Sequence, residues 1–167
     1  PNWPGQNATQ AEMDAFNAAW DAFYQAGGRT NFTANVYSAT GAFPGEAPTE
    51  TNAANYAKVT VVWEPPVVTL PEGVKMVYGL DIGQSSCTET NCSWTPIWNS
   101  WENNKRIYTT SFTVPYLFPI QTTEQSQNNP FHLNIQVSFV DKVTGEHLGS
   151  GGHAHTEFTV GEPIDPN

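Results

Sequence analysis

Cations are scarce in this chain: six Lys and Arg stand against sixteen Asp and Glu, for a formal net charge of −10. Phosphate backbones and anionic lipid surfaces need a basic footprint, so nucleic acid and membrane-surface partners are not expected. Charge of either sign is sparse too, at 13% of residues. Solubility must therefore rest on the plentiful Asn, Thr, Ser and Gly, a balance that suits an extracellular protein. Long apolar runs are missing, and nothing approaches the roughly 18 residues of a membrane span. No leader sequence is visible, so an exported chain would begin here at a processed end.

The motifs of several chemistries are missing as well. There is no G-x-S-x-G elbow, H-E-x-x-H, P-loop or complete EF-hand loop. The sixteen carboxylates could supply a glycosidase pair, but their surroundings single out no two of them. Internal repeats and low-complexity tracts are absent. The 167 residues fit one domain, with an N-terminal helical segment over 1–28, a β-sandwich over 29–161 and a tail over 162–167.

Cysteine is limited to Cys87 and Cys92, too few for a zinc ribbon and not at redox spacing. The intervening TETN is short enough to close as a local disulfide, which implies an oxidising compartment; two free buried thiols are the other reading. The sequons Asn7-Ala-Thr, Asn31-Phe-Thr and Asn91-Cys-Ser offer glycosylation acceptors. Together these features point to a secreted or cell-surface location.

Periodicity divides the chain in two. Thr9 and Glu12 fit a capping box, Met13, Phe16, Trp20 and Phe23 recur at helical spacing, and Gly27-Gly28 supplies a stop. The apolar face of this helix must be covered, either by the main domain or by a neighbouring subunit. From Thr30 onward the period becomes 2, with strands expected over 30–38, 57–64, 74–82, 106–114, 131–140 and 152–160. No second helix of any length is expected, which excludes parallel β-α-β units. A mainly β fold follows, an antiparallel β-sandwich of immunoglobulin-like or jelly-roll-like type with one N-terminal α-helix. Long proline-bearing connections lie over 39–55 and 115–130.

KVTVVWEPP (58–66), VYGLDIG (77–83) and LNIQVSFVDKVTGE (133–146) resemble the B, C and F strands of a fibronectin type III or related immunoglobulin-like sandwich. Trp63 with Pro65-Pro66, and Tyr78 on the next strand, stand at the matching positions. The resemblance implies a binding or structural module. The N-terminal helix, the 87–101 insertion and the long loops depart from the family pattern.

All four histidines fall within residues 132–155. Pleating turns Phe131, Leu133, Ile135, Val137 and Phe139 inward and leaves His132, Asn134, Gln136 and Ser138 outside. On the last strand His153, His155, Glu157 and Thr159 share the outer side. If Asp141 pairs with Glu146 across a four-residue loop, His132 faces His155. His132, His153 and His155 would then converge in a geometry suited to Zn²⁺ or Cu²⁺, with Glu157 orienting a ligand or binding directly. The plainer reading is the polar side of a surface strand, and His147, near the turn, contributes nothing to either.

CSWTPIWNSW places Trp94, Trp98 and Trp101 close together, with Asn99, Asn103 and Asn104 at hand. Flat aromatic rings beside amides suit a sugar or partner contact; alternatively one or two rings plug the end of the sandwich. The function expected is therefore binding or assembly, as an adhesive or carbohydrate-binding module or a surface-filament subunit, with protein or carbohydrate as partner. The alternative is an extracellular copper or zinc protein, or a metalloenzyme, built on the histidines.

Overall fold

A computed structural model of the chain describes residues 7–40 and 56–161. The expected connection over 39–55 lies mostly outside the described residues, as do residues 1–6 of the helical segment and the tail over 162–167.

Strict alternation makes β2 (Tyr56–Glu64) the middle of one sheet. Ala57, Val59, Val61 and Trp63 are buried while their neighbours are not. It pairs antiparallel with β1 (Thr33–Thr40), β5 (Ser111–Thr113) and the short β6 (Phe118–Pro119). The second sheet has the order β4 (Cys92–Asn99), β3 (Val74–Cys87), β7 (Phe131–Asp141), β8 (His147–Phe158), again antiparallel throughout. Between the sheets lie Val59, Val61 and Trp63 on one side and Leu80, Ile82, Leu133 and Ile135 on the other, all essentially without solvent contact. Trp63 meets Tyr78 edge to face, with ring centroids 5.2 Å apart. The protein is an antiparallel β-sandwich, as the period-2 pattern requires.

The N-terminal helix α1 (Gln10–Phe23) starts on the expected capping box. The Glu12 amide donates to Thr9 Oγ1 at 3.2 Å, and the Thr9 amide donates to a Glu12 carboxylate oxygen at 3.3 Å. A π-helical turn (Tyr24–Gly28) ends it. Its buried face of Phe16, Trp20 and Phe23 is covered by the chain's own sandwich. The Phe139 ring lies 4.9 Å from Phe23 at 90° and 5.5 Å from Trp20. Tyr24 stacks on Trp20, and the Arg29 guanidinium caps Tyr24 at 3.8 Å.

Several elements depart from the sequence expectation, among them β3, which runs on to Cys87, and β6, which lies in the expected 115–130 connection. β4 was expected to be loop: residues 92–96 are all exposed and include Pro96, so no alternation marks them. The Cys87–Cys92 disulfide closes the tip of the β3–β4 hairpin. A second helix does exist, the six-residue α2 (Thr123–Asn128), which has a capping box but buries nothing and so shows no apolar stripe. The strand expected over 106–114 shortens to β5, with Ile107 making an isolated bridge to Tyr78. β8 begins at His147 because a glycine-rich run that looks like a breaker is strand. Among the described residues no helix is long and apolar enough to cross a membrane.

Two stability changes follow. Phe139→Ala should cost about 3–5 kcal/mol by emptying a site fully buried against three aromatic rings, measured by urea unfolding followed by circular dichroism. Reducing the disulfide should cost about 2 kcal/mol, because the closed loop is short; the same melt with and without reductant checks it.

Candidate functional site

The hairpin joining β7 to β8 forms as its sequence dictates. The Asp141 amide donates to the Glu146 carbonyl at 2.8 Å. The Asp141 carboxylate accepts from the amides of Thr144 and Val143, each at 2.8 Å, and these bonds hold its carboxyl below the usual range. Val140 then opposes His147. Beyond the turn the register shifts twice, between Val140 and Phe139 and again between Ser138 and Gln136, each time with one extra residue on β8. His132 consequently opposes Glu157, and His155 opposes Asn134; the expected direct His132–His155 opposition is corrected. Since two bulges displace the strand by an even number, every side chain keeps its face.

The run Gly149-Ser150-Gly151-Gly152 is what admits the bulges. The chain leaving α1 presses on this edge: Phe32 donates its amide to the His153 carbonyl at 3.2 Å, and the His153 amide donates to Asn31 Oδ1 at 3.1 Å. A Cβ on Gly152 would stand 2.2 Å from the Thr30 carbonyl oxygen, so no other residue fits there.

His132 and His155 still meet diagonally, with Nδ1 of the first 3.3 Å from Nε2 of the second. The other ring nitrogen of His132, Nε2, is 2.9 Å from Ser85 Oγ. His153 lies farther along, opposite Gln136, and His147 is exposed beside the turn. Among the described residues no three His, Cys, Asp or Glu side chains are placed to hold a metal ion. The expected three-histidine convergence is thus a pair, with Glu157 across the ladder from one member.

Beside this pair lies a tryptophan that the sequence pattern did not place. Trp94 and Ser85 are opposed on β4 and β3, and the Trp94 ring lies across Gly83, where a Cβ would come within 1.9 Å of its Cζ2. Gly83 itself opposes His132, whose ring centroid is 5.6 Å from that of Trp94. The indole covers backbone with one side and remains 46% exposed. Four residues back on the same face, Gly79 is overlain by Trp101, whose Cε3 is 3.9 Å from the glycine's Cβ position and which is 54% exposed. Trp98 turns the other way: it is 8% exposed and stacks on Phe112 within the core. Of the three tryptophans, two therefore share a surface and the third does not.

A groove of about 740 Å³ runs beside Trp101, floored by Gly79 and Gln136 and walled by Asn104, Lys105 and Arg106. Its wall is tied down from within. The buried Ser100 hydroxyl accepts the Leu80 amide at 3.0 Å, and the Lys105 amide donates to the Ser100 carbonyl at 2.8 Å. Asn99 is buried and accepts the Glu102 amide at 2.8 Å, while the Asn103 side chain donates to the Asn99 carbonyl. Two of the three asparagines thus brace the loop, and Asn104 alone lines the groove. Sequence reasoning missed Gly79 and Gly83, although two glycines on one face of a strand are a known mark of close approach.

Between the glycines stands Asp81. Burial first, and the Glu102 charge second, raise its carboxyl above the usual range. An acid with a raised folded-state pKa opposes folding once it is ionised. Asp81→Asn should therefore raise the unfolding midpoint at pH 7, and the gain should vanish near pH 3, where the carboxyl is protonated folded or unfolded. Paired denaturant melts at the two pH values check this.

The sequon residues Asn7, Asn31 and Asn91 are all exposed. No family model matches the chain, and no curated protein matches it.

Proposed function

We propose that this protein is an exported immunoglobulin-like module that binds carbohydrate on the outer face of the β4-β3-β7-β8 sheet. The observation that carries this reading is the Trp94 ring laid across Gly83 with nearly half its surface open. Indole faces stack on the C–H faces of pyranose rings, and the hydroxyls at the ring edge need amide or imidazole partners. His132, Asn134 and Gln136 stand in a row on β7 beside it, with His155 next to them on β8. Trp101, on the loop after β4, supplies a second ring on the same face, over Gly79, roughly 13 Å from Gly83 along β3 at about 3.3 Å per residue.

The strand arrangement supports the immunoglobulin-like part. With β1, β2 and β5 in one sheet and β4, β3, β7 and β8 in the other, the order is compatible with A-B-E and C′-C-F-G, and a Trp63–Tyr78 contact spans the sheets. Export is supported by the disulfide and the exposed sequon asparagines. Filament assembly is less well supported, because α1 spends its apolar face on its own sandwich. A copper or zinc centre at His132 and His155 is favoured only by their converging nitrogens, and an open zinc site takes three protein ligands.

The test is calorimetric titration of the chain against a glycan panel. Some glycan should bind, and Trp94→Ala and Trp101→Ala should each weaken it about tenfold, the loss of one stacking contact of about 1.4 kcal/mol. A panel without a single binder, or variants that bind as tightly as the parent, would refute the assignment.

A further inference from the structure

We infer that the groove beside Trp101 selects saccharides bearing a carboxylate, the uronic acids. The inference rests on the carbohydrate reading and adds the class of sugar. Its basis is the distribution of charge. The chain holds sixteen carboxylates and six cations, yet the groove is lined by two of those cations, Lys105 and Arg106, and by none of the carboxylates. Neither cation has an ion-pair partner among the described residues.

Two exposed cations, unpaired among the described residues of a protein of net charge −10, do not lack carboxylates to pair with. Both line a cleft that an exposed indole also lines. The Arg106 guanidinium reaches the β7–β8 turn, where its Nη1 lies 3.0 Å from the Cβ position of Gly145. A third cation, Lys75, occupies the same face of β3 farther toward that turn, with its ammonium 3.8 Å above the Tyr108 ring.

A uronate matches this set group by group. Its planar carboxylate accepts the paired N–H groups of a guanidinium, a geometry that an ammonium cannot offer, and Lys105 adds a point charge. The pyranose face lies on Trp101, and the hydroxyls reach Asn104 and Gln136. The charge pattern also orients the ligand. Glu157, opposite His132, stands at the Trp94 end, so an anionic group is disfavoured there, while Asp81 lies midway between the two rings. Long-range steering is excluded, because the net charge repels polyanions at a distance; selection must act within the groove.

The experiment titrates the full chain with trigalacturonate, with its methyl ester, with a neutral trisaccharide and with a sulfated heparin oligosaccharide, at low and high salt. The acid should bind at least tenfold more tightly than its ester. Salt should narrow that gap, and Arg106→Gln and Lys105→Gln should each shrink it by weakening the acid more than the neutral sugar. Circular dichroism melts of both variants confirm that they fold. Equal binding of acid and ester, undiminished discrimination in both variants, or tighter binding of the sulfated ligand would overturn the inference. Binding of the neutral sugar that depends on Trp94 and Trp101, with no preference for the acid, would leave the carbohydrate reading standing while removing this one. No binding of any ligand would remove both.

Discussion

The two-sidedness of β3 governs everything on the surface described here. Leu80 and Ile82 point into the core with no solvent contact, which fixes the strand's register, because a slip of one residue would turn both outward. The same alternation then forces Gly79, Asp81 and Gly83 onto the outer face. Without side chains at two of these three positions, the middle of the sheet is a trough, and neighbouring tryptophans lie down into it. The core thus determines the surface through the pleat, and among the described residues the indoles of Trp94 and Trp101 make no hydrogen bond of their own.

The rings are held in different ways. Trp94 sits on an edge strand whose tip is closed by the disulfide, so its backbone is carried by the β3–β4 ladder. Trp101 belongs to a loop, and loops are usually the softer place for a binding group. Here the loop is anchored by the buried Asn99 and Ser100, whose side chains accept backbone amides. Ordering a contact residue before the ligand arrives lowers the entropy lost on binding.

The parts of the fold legible in the sequence were those where one face is buried. Helix α1, β2, β3 and β7 each show a clear period because one side of each meets the core. β4 and α2 escaped notice for the opposite reason: they bury little, so nothing in their apolar pattern marks them. The histidine register failed for a subtler cause. The turn was right, down to the Asp141–Glu146 pair, but the glycine-rich stretch that looked like a boundary was strand with two bulges in it. Face assignments survived because the bulges number two; a single one would have turned His153, His155 and Glu157 into the core.

That parity bears on what the histidines can do. In the expected register His132 and His155 would have been directly opposed. The extra residues moved His155 along the ladder and brought Glu157 opposite His132 instead. His132 is left between Ser85 Oγ on one side and His155 on the other, with Trp94 against its ring. A residue held at both nitrogens has its ring orientation set by its neighbours, so His132 orders the surface beside Trp94 and leaves ligand hydroxyls to Asn134 and Gln136. It also has no ring nitrogen to give a metal unless one of those bonds is broken. The glycines of β8 therefore do more than allow a bend: by lengthening one strand relative to the other, they turn a potential ligand set into the polar edge of an aromatic surface.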